Sequence, residues 1–220
     1  MTLPADLSGR SVLVMGATHP VAASIALALA ESGADVAVSS ATPDADEAFA
    51  VRRLAKRISD LGRRSLAESV DLSSGTNVQI AVRQVAKELG RIDVLVVAAD
   101  FHLSKPTERL SDAEWSKVLG LNLSGVFYAC RAVAREMLRQ DAREDGGRGQ
   151  IIVVTQKPGA LDDEQDVAYA AAQAGAAALV RGLKREWAAL GITVDVIAVS
   201  EAGEDAVQAL RLISAIDQAP

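Results

Sequence analysis

Short apolar runs of four to eight residues alternate with longer segments of helical period along the whole chain. Each run is too short to be a buried helix and rich in Val, Ile and Leu, as strands covered on both faces are. The runs are Ser11–Gly16, Asp35–Ser40, Ser65–Asp71, Ile92–Ala98, Ile151–Val154 and Ile192–Val199. Between them lie helical segments near Pro20–Ser32, Asp44–Leu61, Thr76–Leu89, Ser111–Gln140 and Glu164–Leu190, with a last one near Glu204–Ile216. A strand, a crossover helix and a parallel strand join in a right-handed sense almost without exception. The alternation therefore predicts one α/β domain over residues 1–220, a doubly wound parallel sheet of six strands with helices on both faces.

Composition narrows the function. Half of the residues are apolar but only 3% are aromatic, so the core must be layered from Ala, Val, Leu and Ile. A formal charge of −6 offers no basic face to a phosphate backbone, which argues against nucleic-acid partners. The basic residues Arg52, Arg53, Lys56 and Arg57 read as the solvated side of one helix. The single cysteine, Cys130, excludes an internal disulfide and falls in an apolar helical stripe, as buried filler would. No leader pattern or membrane-length apolar stretch is evident, and no metal-ligand cluster, so a cytoplasmic protein without membrane or metal is expected.

Several landmarks stand in a telling order. Gly16 closes the first strand, Asp71-Leu72 ends the third, Asn122-Leu123-Ser124-Gly125 lies within the long helix, and Tyr169 opens the next, thirteen residues after Gln156. In that order and spacing the chain resembles the short-chain dehydrogenase/reductase family over nearly its whole length. The resemblance implies a nicotinamide cofactor that exchanges hydride with a substrate whose oxygen is protonated or deprotonated by the phenol of Tyr169. It also implies that Asn122 holds a water of the proton relay, that Asp71 and Leu72 border the adenine, and that Gln156 stands where the family has its catalytic Ser. Thr18, His19, Val21, Ser40 and Ala98 fall at the remaining positions that border the cofactor.

Against that pattern stand departures at independent places. A free phenol has a pKa near 10, so it needs a neighbouring cation to act near neutrality. The family supplies a Lys four residues on, but here that residue is Gln173, which has no charge. At the substrate oxygen, Gln156 replaces Ser and Thr155 offers a hydroxyl one residue out of register. The phosphate loop reads Gly16-Ala17-Thr18-His19-Pro20-Val21-Ala22 in place of three spaced glycines. Pro20 suits the first position of a helix but lacks the N–H a pyrophosphate uses. After the fourth strand, Val97-Ala98-Ala99-Asp100 puts a carboxylate near the expected cofactor path. Ser39-Ser40 ends the second strand without an acid for a ribose diol, and His19 stands where users of NADP often carry a cation, although an exposed loop histidine is the simpler reading. Any surviving preference is therefore expected to be NADP, and no cofactor is the leading expectation. The run Val199-Ser200-Glu201-Ala202-Gly203-Glu204 leaves no room for a substrate lid, and a seventh strand is not expected.

These departures predict a non-catalytic relative that pairs with itself, or with an active family member as a silent subunit, through the helices near 111–140 and 164–190. Ala170, Ala171, Ala172, Ala174, Gly175, Ala176, Ala177 and Ala178 would permit close helix approach there. Two other readings stay open: an NADP-dependent carbonyl reductase or alcohol dehydrogenase using Tyr169 and Asn122, and a nucleotide or small-ligand binding module built on the remnant cleft.

Overall fold

The computed structural model describes residues 6–144, 146–156 and 166–199. Six parallel strands form one sheet in the order β3-β2-β1-β4-β5-β6. They are β1 (Ser11–Met15), β2 (Asp35–Ser39), β3 (Ser65–Glu68), β4 (Val94–Val97), β5 (Gly149–Gln156) and β6 (Ile192–Val199). The helices are α1 (Pro20–Glu31), α2 (Ala45–Asp60), α3 (Gly75–Leu89), α4 (Asp112–Leu119), α5 (Gly125–Met137) and α6 (Val167–Trp187). The expected helix near 204–216, the loop before it and the question of a lid or seventh strand lie outside the described residues.

Period-two alternation divides the core. Val12 and Val14 of β1 join Ile25 and Leu29 of α1 and Leu54 and Ile58 of α2 on one face. Leu13 and Met15 join Val78 and Val82 of α3, Cys130 and Val133 of α5, and Val180 of α6 on the other. Because both faces are covered, each strand is apolar at consecutive positions, which is why the runs were legible in the sequence. Cys130 is fully buried and its thiol is pushed up to about 12 by burial, as inert filler requires. The basic residues of α2 are exposed as expected.

The boundaries differ from expectation where side chains take over backbone roles. The third strand stops at Glu68, because Val70 pairs with the hydroxyl of Ser40: its N–H donates to Ser40 Oγ at 2.9 Å, and that hydroxyl donates to Val70 O at 3.3 Å. The fourth strand starts only at Val94, since the Ile92 N–H donates to Gln140 Oε1 at 2.7 Å. The region expected as one helix over 111–140 is α4 and α5 joined by a single π turn, Gly120–Ser124. Ser111 and Glu114 close a capping box at its start. Phe127 and Leu138, expected in the apolar stripe of this region, are exposed.

The order of strands reverses between β1 and β4, and ligands in such sheets bind outside the strand ends at that point. Gly16 builds the cleft there. Its φ of +73° is left-handed, and a Cβ would stand 1.9 Å from Ala98 O. Gly16→Ala should therefore cost about 3 kcal/mol or more, read as a lowered urea midpoint with an unchanged slope.

Candidate active site

Three segments distant in sequence meet at Asp100, just beyond β4. The Tyr169 hydroxyl, one turn into α6, donates to Asp100 Oδ1. From the β1–α1 loop, His19 Nε2 stands 3.1 Å from Asp100 Oδ2. His19 also caps α1: its Nδ1 accepts the N–H of Val21 at 3.2 Å. Since Nδ1 is an acceptor, the ring proton sits on Nε2 and is donated to Asp100. Burial pushes the Asp100 carboxyl up, but the hydrogen bonds from His19 and Tyr169 and the electrostatic pull of the His19 and His102 rings outweigh it, and the net direction is down.

The phenol moves the other way. Burial raises it most, and the hydrogen bond and negative charge of Asp100 raise it further, while the amide of Gln173 offsets only part. A catalytic phenol needs the opposite bias. Gln173 supplies no cation, and its Oε1 is buried without a hydrogen-bond partner. Gln156 ends β5 beside Thr155, and both line a hollow with Asp100, Tyr169, Gln173 and Val199. That hollow measures about 10 Å³, room for at most one water.

Other residues expected to meet cofactor or substrate are committed to the fold. Asn122, buried in the π turn, clamps Phe101: its Oδ1 accepts the Phe101 N–H at 2.8 Å and its Nδ2 donates to Phe101 O at 2.7 Å. Its side chain is thus a staple for the loop after β4. Ser40, expected to border the cofactor, is buried in the bridge to Val70. Asp71 Oδ1 accepts the N–H and hydroxyl of Ser73 in a turn before α3, and only its flank borders the groove with Thr42, Phe101 and Lys117. Leu72 is core, and Ala98 meets Gly16 through its backbone. His19 is not an exposed loop histidine; it is held by Val21 and Asp100, which takes it away from any 2′-phosphate.

Beside the strand ends lies an open cleft of about 250 Å³, lined among others by Gly16, Thr18, Pro20, Glu47, Asp100 and Phe101. Glu47 was not foreseen. Its Oε2 accepts the N–H groups of Ala41 and Thr42 at 2.9 and 3.0 Å, and its Oε1 accepts the Thr42 hydroxyl at 2.8 Å. A carboxylate therefore does stand at the end of β2, supplied by the first turn of α2, and it opposes a 2′-phosphate. The expectation of NADP rested on the absence of an acid there, and Glu47 supplies one.

The described residues fit a nicotinamide dinucleotide poorly. Ala17 N–H donates to Ser39 O, His19 N–H to Gly16 O and Val21 N–H to His19 Nδ1, while Pro20 has none, leaving Thr18 as the one free amide of that stretch. Among the described residues, two carboxylates and no lysine or arginine line the cleft. Diphosphate recognition needs the reverse. A nicotinamide placed beside Tyr169 would find only the hollow of about 10 Å³ described above.

Two further residues of this site escaped the sequence reading. His102 Nε2 lies 2.6 Å from Asp166 Oδ2, and its ring meets that of Tyr169 edge-on at 5.2 Å. No spacing signals this pair, because its members are 64 positions apart and meet only through the packing of α6 on the β4 loop.

With this geometry in view, the relationships of the chain are clear. A family model described as short chain dehydrogenase matches residues 10–211. D-threitol dehydrogenase of Mycolicibacterium smegmatis is 34% identical over 191 residues, 87% of this chain and 69% of that protein. The 3-oxoacyl-[acyl-carrier-protein] reductase FabG of Staphylococcus epidermidis is 35% identical over 189 residues, 86% of this chain and 73% of its own. A short chain dehydrogenase from Mycobacterium smegmatis superposes with a TM-score of 0.85 at 27% identity, over 98% of this chain and 90% of that one. The chain belongs to the short-chain dehydrogenase/reductase family, whose members are oxidoreductases that use NAD or NADP.

The bias on Tyr169 has a direct spectroscopic consequence. Its ordinary value is 10.0 and its folded value is higher, so around pH 10 the unfolded chain ionises this phenol and the native chain does not. Stability should fall as pH rises past 10, and at that pH native wild type and Tyr169→Phe should show equal phenolate absorbance. An excess of one phenolate in the wild type would contradict the assignment.

Proposed function

We infer that this chain is a family member that does not run the family's tyrosine-dependent hydride chemistry alone and acts instead as a folded partner subunit. The contact that carries the reading is Tyr169 to Asp100: the phenol that would exchange a proton with substrate donates its hydrogen bond to a carboxylate of the same chain. Positioned proton transfer contributes on the order of 10²–10⁴ in rate, and a phenol biased away from ionisation forfeits it. The two relatives named above are a dehydrogenase and a reductase, so the oxidoreductase reading is the alternative to beat. The open cleft favours a further reading, a binding module for a small ligand that carries no phosphate.

The deciding experiment mixes the purified chain with NADH or NADPH and a panel of ketones, and with NAD or NADP and a panel of polyols. Nicotinamide absorbance should not change beyond buffer, and Tyr169→Phe should leave that result as it is. Brisk turnover by the wild type that Tyr169→Phe abolishes would refute the reading.

Pairing is the second half of the proposal. On α6, Ala170, Ala171, Ala174 and Ala178 are exposed along one side while Ala172, Ala176 and Val180 are buried against the sheet. Trp115 of α4 and Phe127 of α5 add exposed apolar area. Such a small-residue face lets a helix of a second copy approach closely. Light scattering should give a dimer, and Ala174→Arg should shift it to monomer; a wild-type monomer at tens of micromolar (about a thousandfold above a tight Kd) would count against pairing with itself.

A further inference from the structure

At the opposite edge of the sheet, where the strands begin, Arg10, Arg91 and Arg143 line a hollow of about 480 Å³ together with Ala142 and Glu144. Arg10 precedes β1, Arg91 precedes β4, and Arg143 lies between α5 and β5. Asp93 is buried beneath them. Its Oδ1 accepts from Arg91 Nε at 2.8 Å and from Arg143 Nη1 at 2.5 Å, and its Oδ2 accepts the Ser11 N–H at 2.9 Å. One carboxylate thus serves two guanidinium groups with a single oxygen. Arg91 Nη2 is left buried without an acceptor. Among the described residues, the guanidinium groups of Arg91 and Arg143 thus share one buried carboxylate, in a chain whose net charge is −6.

We propose that this hollow binds a phosphate-type oxyanion, either free or as the head of a small phosphate monoester. A guanidinium presents five N–H donors in a planar fork, of which Asp93 engages one on Arg91 and one on Arg143. A tetrahedral oxyanion brings enough oxygens to accept from both forks at once, whereas the single oxygen of Asp93 is already shared. The hollow lies far from the cleft at β1 and β4 and does not depend on the reading of that cleft.

The test titrates inorganic phosphate and, separately, glycerol 3-phosphate into isotope-labelled chain, with chloride at matched ionic strength as control. Saturable backbone shifts should appear at Arg91 and residues 142–144, with millimolar affinity. Arg143→Gln should weaken binding about tenfold, the loss of one charge-assisted contact. Glu144→Gln removes a repelling charge and should tighten binding about threefold, which guards against a variant that merely unfolds. Preference for the monoester or for the free ion identifies the source, and either upholds the site. Shifts confined to Thr18–Val21, no saturation, or equal affinity in Glu144→Gln and wild type would overturn it.

Discussion

The Asp100 carboxylate joins the end of β4, the loop that opens α1 and the first turn of α6. Everything distinctive about the cleft follows from those two donors. The Val21 N–H fixes the tautomer of His19, the tautomer makes Nε2 a donor, and that donor together with the phenol offsets the cost of drawing a carboxylate out of water. The same hydrogen bond that stabilises Asp100 as an anion stabilises Tyr169 as a neutral phenol. Joining the elements at the switch point and biasing the phenol toward its neutral form are therefore one event, seen from its two ends.

The cleft's electrostatics agree with that interpretation. A dinucleotide brings phosphate charge to a helix N-terminus whose amides must be free to receive it. Here the amides of Ala17, His19 and Val21 are satisfied internally, Pro20 contributes none, and Glu47 and Asp100 add negative charge on either side. Glu47 also ties down Ala41 and Thr42, so the turn after β2 owes its shape to a carboxylate.

How much of this was written in the sequence depends on range. The six strands were readable because both faces of the sheet are covered, which turns each strand into an uninterrupted apolar run. Pro20, Gln173 and Gln156 could be assessed from the order of landmarks along the chain. Asp100 was visible as a misplaced charge, but its partners were not, since His19 and Tyr169 reach it from 81 and 69 positions away. Ser40 looked like a free hydroxyl at a strand end; only the third dimension shows it continuing the ladder to Val70 in place of backbone. Glu47 eluded the reading because the acid was sought on the strand, while α2 delivers it from its first turn. The π turn had no signature either, as its residues suit an ordinary helix.

Tyr169 shows how a fold can hold a residue for reasons independent of its chemistry. Its ring is among the largest fully buried side chains, and with Val118 and Ala168 it forms a small core of its own, flanked by Phe101, Leu103, Leu110 and Leu119. That core joins α4, α6 and the loop after β4, and Asn122 clamps the same loop through Phe101. The ring therefore holds the elements together by burial, a contribution of about 1.5–3 kcal/mol for a large side chain, whatever its hydroxyl does. The hydroxyl adds a donor that Asp100 would otherwise lack. Packing and hydrogen bonding thus give Tyr169 two structural reasons to persist, and neither requires a substrate.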